Sequence, residues 1–139
     1  MLARGTQCKP RLAYGGARLS SQREKIGRRC NILVGTPGRV RQFIEEGTVS
    51  LEAIKFFVLD EADRMLDMGF KRDMDFFAGD PDLPPKSDRQ TLLFSATYPE
   101  EVQQVAKQFL DEDYRFITVG EIGSAQPDVT QFIFQVSQD

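Results

Sequence analysis

The chain has 139 residues, 40% of them hydrophobic and 28% charged, with 18 Lys and Arg against 21 Asp and Glu for a formal net charge of −3. That is room for one domain with one core, and no apolar run approaches the ~20 residues needed to span a bilayer. The absence of histidine excludes His-based triads and His metal sites and leaves any chemistry to carboxylates and hydroxyls. The N-terminal MLARGTQCKP lacks the apolar centre of a secretory signal. Cys8 and Cys30 have no CxxC spacing and read as unpaired thiols, which predicts a reducing, cytoplasmic setting.

In chain order, Arg11 to Tyr14 reads as a short strand followed by a Gly15-Gly16 turn. Ser21-Gln22-Arg23-Glu24 has capping-box spacing and predicts a helix ending near Gly27. Asn31 to Gly35 is the next strand, and Thr36-Pro37-Gly38 its exit loop, with Thr36 suited to cap the following helix and Pro37 to its first position. That helix covers Arg39 to Glu46 and stops at Gly47. Across this first part charge is concentrated: residues 1 to 41 hold ten Lys or Arg against the single acid Glu24, a balance of +9 that leaves −12 for the remainder. The acidic total therefore conceals a basic surface able to attract phosphates. A solvated helix face around Ser20 to Arg29 accounts for the same charges equally well.

The next segment, IKFFVLDEADRMLDMGF over residues 54 to 70, is the most informative. Ile54, Phe56, Phe57, Val58 and Leu59 form a short apolar run, as in a strand buried on both faces of a parallel sheet, with Phe56 to Leu59 its ordered part. Asp60 and Glu61 then emerge at its carboxyl end, the edge at which open α/β sheets bind ligands. A nucleotide-bound Mg²⁺ needs one or two carboxylates, and hydrolysis needs a group to orient water. Asp60 suits the first role and Glu61 the second.

A helix is predicted over Lys71 to Phe77, and the proline-bearing Asp80 to Asp88 is a loop. Thr91 to Phe94 is a buried strand. Thr97-Tyr98-Pro99-Glu100 has capping-box spacing before an amphipathic helix carrying Val102, Val105, Ala106, Phe109 and Leu110 on one face. Arg115 to Val119 reads as the last core strand, Gly120 to Pro127 as a linker, and Gln131 to Val136 as the alternating first strand of a further unit. Met65, Leu66, Met68 and Phe70 read as core packing. Alternating strands and helices imply a three-layer α/β domain with a parallel sheet.

Asp60-Glu61-Ala62-Asp63 is the signature of the DEAD-box ATP-dependent RNA helicases, and its chance appearance in a chain this long is on the order of one in a thousand. Tyr14-Gly15-Gly16, Thr36-Pro37-Gly38-Arg39, the trailing Arg64 to Phe70 and Ser95-Ala96-Thr97 occur in the family's order, so the chain resembles that family. Arg89 to Phe94 and Val119 to Gly123 look most like its Vasa branch. The resemblance implies a RecA-like domain of the P-loop NTPase type, with ATP and Mg²⁺ as cofactors and RNA as partner. It implies that Asp60 holds Mg²⁺ through water and that Glu61 shares the nucleotide site and positions the attacking water. Asp63 is implied to bond Ser95 and Thr97, which transmit domain closure. Gly15, Gly16, Thr36, Pro37, Gly38 and Arg39 are implied to contact the RNA backbone. Gln42 stands where the family often has an acid.

The family's GxxxxGK[ST] phosphate loop and adenine-reading segment are absent from these 139 residues. The chain thus reads as a first RecA-like domain truncated at its N-terminus over 1–119. Residues 120–139 read as a linker and the start of a second RecA-like domain, and Met1 need not be a biological start. The parent is expected to couple ATP hydrolysis to RNA duplex unwinding or ribonucleoprotein remodelling, and the isolated fragment to be inactive. A noncatalytic RNA-binding or partner-binding module that lacks the phosphate loop is the alternative; a DNA-acting relative fits the motif spellings less well.

Overall fold

The computed structural model describes residues 5–120, 130 and 132–135. Strand β1 (Pro10–Ala13) leads into helix α1 (Leu19–Arg28), strand β2 (Ile32–Gly35) and helix α2 (Pro37–Glu45). Strand β3 (Phe56–Leu59) follows, then α3 (Ala62–Asp67), α4 (Lys71–Gly79), a 3-10 turn over Lys86–Asp88, β4 (Gln90–Leu93) and α5 (Glu100–Phe109). Two parallel strand pairs result. β1 lies against β2 with Ala13 opposite Gly35, and β3 against β4 with Leu59 opposite Leu93. Each pair joins strands separated by helices, as parallel pairing requires.

The helices cover one face of these strands. Ile26 of α1 and Phe43 of α2 pack with Ala13, while Met74, Phe77, Val105 and Phe109 of α4 and α5 pack with Leu59. Val40 of α2 touches both clusters, so this helix ties the two strand pairs together. Phe57 stacks on Phe109 with centroids 5.2 Å apart and meets the Phe77 ring edge-on at 6.4 Å, both preferred aromatic arrangements.

The opposite face is bare. Phe56 is 67% exposed and Val58 54%, which corrects the expectation that β3 is buried on both faces: no described element packs there. Leu12, Ile32 and Val34 are exposed on the other pair. A continuous apolar run therefore reports two buried faces only where both helical layers are in place.

Other expectations need correcting too. The Ser21–Glu24 capping box does not form; α1 begins at Leu19 with Arg18 at the cap position making no side-chain cap bond, and Gln22 turns inward instead. The Thr97–Glu100 capping box is also absent, since Pro99 caps α5 and the Thr97 hydroxyl is engaged elsewhere. Residues 115–119 are not a strand. They run exposed, with Val119 99% accessible, because no described strand offers them a ladder. Only Phe116 finds a partner, its ring 4.8 Å from that of Tyr98. Met68 is exposed rather than core, whereas Met65 and Leu66 do pack against the α4–α5 cluster. Residues 121–127 of the expected linker lie outside the described residues. Of the expected 131–136 strand, residues 132–135 are described and form no strand, with Phe132, Ile133 and Phe134 exposed, because no described strand pairs with them.

Arg89 closes the loop before β4. It is buried and donates to the Pro84 carbonyl, to Thr91 Oγ1 at 3.1 Å and to the Phe109 carbonyl at the end of α5 at 3.2 Å. Its guanidinium thus satisfies loop and helix-end carbonyls together.

Candidate functional site

The register of β3 and β4 delivers two loops side by side at their carboxyl ends. Asp60 and Glu61 leave β3, and Ser95 to Thr97 follow β4. Backbone bonds join them first, Phe94 N–H to the Leu59 carbonyl at 2.8 Å and Ala62 N–H to the Phe94 carbonyl at 3.0 Å. Asp63 then binds across. Its N–H donates to Ser95 Oγ at 3.2 Å, and its Oδ2 accepts from the Thr97 N–H at 2.9 Å and the Thr97 hydroxyl at 2.8 Å. Its Oδ1 takes the Arg64 N–H at 2.9 Å. Partial desolvation pushes the Asp63 pKa up, but the donors from Thr97, Arg64 and Ser95 outweigh it and hold the carboxyl below its ordinary value. A carboxylate held by several N–H and O–H donors stays ionised and geometrically fixed.

Glu61 is the only non-glycine residue among those described with a left-handed backbone, φ 52° and ψ 52°. That conformation costs an L-residue roughly 1–2 kcal/mol. It caps α3 and turns the chain sharply, leaving the carboxylates of Asp60 and Glu61 exposed on successive residues. Asp60 Oδ1 accepts the Glu61 N–H at 3.1 Å, and Arg64 reaches Glu61 Oε2 at 3.0 Å. An Mg²⁺ ion that travels with a nucleotide keeps most of its waters and takes one or two carboxylates, so the exposed Asp60 fits such an ion. No cluster of three ligating side chains occurs among the described residues.

A second pair of loops meets at the carboxyl ends of β1 and β2. Thr36 N–H donates to the Ala13 carbonyl at 2.9 Å, bringing Gly15-Gly16 beside Thr36–Arg39. Gly16 has φ 79°, which glycine adopts without strain. At the start of α2, Pro37 has no N–H, and the Arg39 and Val40 amides both return to the Thr36 carbonyl at 3.1 Å. The Gly38 amide and the Thr36 hydroxyl have no bonded partner among the described residues. Arg39 donates from Nη1 to the Ala17 carbonyl at 3.4 Å, and its guanidinium lies 6.0 Å from the Phe43 ring centroid. Gln42 donates to Glu46 Oε1 at 3.0 Å.

The sequence-predicted residues therefore gather into two groups, Asp60, Glu61, Asp63, Ser95 and Thr97 on one pair and Gly15, Gly16 and Thr36 to Arg39 on the other. α2 and α4 connect them through Arg41, which reaches Asp73 at 3.5 Å and covers the Phe76 ring at 4.8 Å. Two supporting residues escaped the sequence reading. Gln22, 7% exposed, accepts the Tyr14 N–H at 2.9 Å and donates to the Tyr14 carbonyl at 3.1 Å, imitating a neighbouring strand and pinning the Gly15-Gly16 turn. Its place between Leu19 and Ile26 on the inward stripe of α1 is the signal that could have found it. Gly35 admits no side chain, for a Cβ there would lie 2.4 Å from the Ala13 carbonyl oxygen and 2.7 Å from Val40 Cγ2.

The DEAD/DEAH box helicase family profile matches residues 1–105. The chain belongs to this family. It is 47% identical over 134 residues to "Probable ATP-dependent RNA helicase DDX4" of Homo sapiens and equally to that of Macaca fascicularis, covering 96% of this chain. These are Vasa-like relatives, and the chain spans 18% of their length. Among solved structures, a DEAD box protein from Methanococcus jannaschii is similar at 40% identity and TM-score 0.70, over 81% of this chain and 29% of that one. A hypothetical ATP-dependent RNA helicase from Sulfolobus tokodaii gives 34% and 0.71, over 82% of this chain and 33% of that one. The yeast DEAD-box splicing factor Prp28 gives 30% and 0.69, over 76% and 24%. The fold is thus an α/β domain of the RecA-like DEAD-box type, of which the described residues supply parallel strands and the helical layer on one face. Among the described residues no helix is long and apolar enough to cross a membrane.

Proposed function

We propose that this chain is part of an ATP-dependent RNA helicase that couples ATP hydrolysis to RNA duplex unwinding or ribonucleoprotein remodelling. In this reading residues 1–119 belong to the first RecA-like domain and 120–139 lead toward a second. The observation that carries the proposal is the clasp of Asp63 on Ser95 and Thr97, which makes the DEAD loop and the loop after β4 one mechanical unit. Mg²⁺, when bound with ATP, neutralises charge on the β- and γ-phosphates. Asp60 would hold the ion through its water shell, and Glu61 would orient the attacking water. Ser95 and Thr97 transmit domain closure from the nucleotide edge to the RNA edge. The Gly15-Gly16 turn, the Gly38 amide, the Thr36 hydroxyl and Arg39 grip RNA phosphates without reading bases. The free thiols Cys8 and Cys30 support a reducing, cytoplasmic compartment.

The test is RNA-stimulated, Mg²⁺-dependent ATP hydrolysis by the intact protein, together with strand displacement on a short RNA duplex. Both activities are expected, and absence of hydrolysis with RNA binding retained would replace this reading with that of a noncatalytic RNA-binding module.

A further inference from the structure

Six of the cations within residues 5–41 make no ion pair among the described residues: Lys9, Arg11, Arg18, Lys25, Arg29 and Arg39. The other three are neutralised, Arg23 by Glu46, Arg28 by Glu24, and Arg41 by Glu45 and Asp73. Neutralised and free charges are not mixed at random. Arg11, Arg18 and Lys25 line one open groove of about 340 Å³ that runs along β1 and α1, and no carboxylate lines it. Ser21 and the half-exposed Tyr14 ring line it as well. A solvated helix face would need no groove, and its cations would be free to find acids. Here uncompensated positive charge is concentrated in a concave, partly aromatic site, where fields are focused.

The groove is built, not incidental. Gln22 fixes Tyr14 through both of its backbone polar groups, so ring and turn have a set position relative to α1. Arg11 Nε donates to the Lys25 carbonyl at 2.6 Å and anchors the far end of the groove to the last turn of α1. Its near end shares Ala17 with Arg39, whose Nη1 donates to the Ala17 carbonyl. The groove therefore begins where the Gly15-Gly16 and Thr36–Arg39 edge ends.

We propose that this groove is a second phosphate-backbone subsite for an RNA strand. A strand crossing the Gly15-Gly16 turn continues along β1, with Arg18 and Lys25 contacting successive phosphates and the Tyr14 ring available to stack on a base. The inference rests on the RNA-binding reading above and adds contacts that lie outside its motifs. An acidic protein segment is the competing occupant of like charge. The RNA strand is favoured because Tyr14 offers a stacking surface beside the cations and the groove is continuous with the Arg39 edge.

The experiment measures affinity of the intact protein for fluorescent oligouridylate across salt concentrations. Wild type is compared with the Arg18→Ala/Lys25→Ala double variant, with Arg18→Lys, and with Arg39→Ala. Both groove side chains are exposed and unpaired, so the double variant should melt at the wild-type temperature. Its plot of log affinity against log salt should be shallower by about 1.4, from two single-strand contacts at ~0.7 each. Arg18→Lys keeps the point charge and should keep the slope. An unchanged slope in the double variant, with a reduced slope in Arg39→Ala, overturns the groove subsite and leaves the RNA reading intact. Loss of salt-dependent binding in wild type overturns both. Displacement of a polyglutamate peptide by the double substitution, with oligouridylate affinity unchanged, overturns the proposal in favour of an acidic protein partner.

Discussion

The two strand pairs end in loops of opposite character. At β3 and β4 the loops are locked by side chains: Asp63 reaches 34 residues along the chain to Thr97 and 32 to Ser95, and a strained Glu61 sits at the corner. At β1 and β2 the loops meet through one backbone bond, and Arg39 reaches across with a single long contact to Ala17. Chemistry that positions a water demands fixed geometry, and misplacement by 1 Å can cost ~10²-fold. Contact with a flexible phosphate chain is electrostatic and tolerates adjustment. The locked edge therefore suits turnover and the open edge suits binding, and each can be broken without the other.

The sharpest break is Glu61→Gln in the intact protein. If Glu61 orients the attacking water as proposed, removing its carboxylate while keeping the side chain's size should lower kcat by ~10²–10⁴. RNA affinity should stay near wild type, because the lost Arg64 contact is an exposed ion pair and contributes little to the fold. A fall in kcat of less than tenfold would remove Glu61 from the role assigned to it and dissolve the contrast between the edges.

Gly35→Ala strikes the other edge. The added Cβ would lie 2.4 Å from a backbone oxygen, which cannot move aside as a side chain can. Overpacking of this kind costs typically 1–3 kcal/mol. The expected result is a lower denaturation midpoint, faster exchange of the Thr36 amide that bonds to Ala13, and weaker RNA binding with nucleotide affinity retained. Equal loss of both affinities would mean that the two edges are not separable.

Much of this organisation was legible from local pattern. The apolar runs of β1 to β4, Thr36 with Pro37 at the start of α2, and the stripe of Val102, Val105, Ala106 and Phe109 on α5 were read within a residue or two. What failed was nonlocal. Residues 115–119 carry strand-forming side chains, yet a strand exists only with a partner. Ser21 to Glu24 spells a capping box, but burying Gln22 against Tyr14 sets the helix start three residues earlier, with Arg18 rather than Ser21 at the cap. Six-residue α3, rich in charge, has too short a period to announce itself. The groupings at the site depend on pairings 20 to 35 residues apart, which composition and spacing do not encode. Family resemblance supplied the motif residues, while the contacts that Gln22, Gly35 and Arg89 make became visible only in three dimensions.

The smallest expected effect tests the lock itself. Asp63 has a folded pKa below its unfolded value of 3.8, so it adds stability that is present above that value and disappears as pH falls through the folded one. The sign follows because in that window the unfolded state binds more protons. Asp63→Asn keeps the shape but turns an amide donor or a single acceptor toward three donors, and part of the site is open to water. The cost should be about 1–2 kcal/mol, the range for a hydrogen-bonded charge discounted for solvent screening. Amide exchange at Thr97 in the intact protein reads the lock directly. It should accelerate in Asp63→Asn at neutral pH and in wild type only as pH drops below about 3.8, with the variant insensitive to that drop. Wild-type protection at Thr97 that persists unchanged through the acid range would mean that the backbone bonds of Ala62 and Phe94 hold the loops without the carboxylate, and that the locked edge owes its geometry to the strands alone.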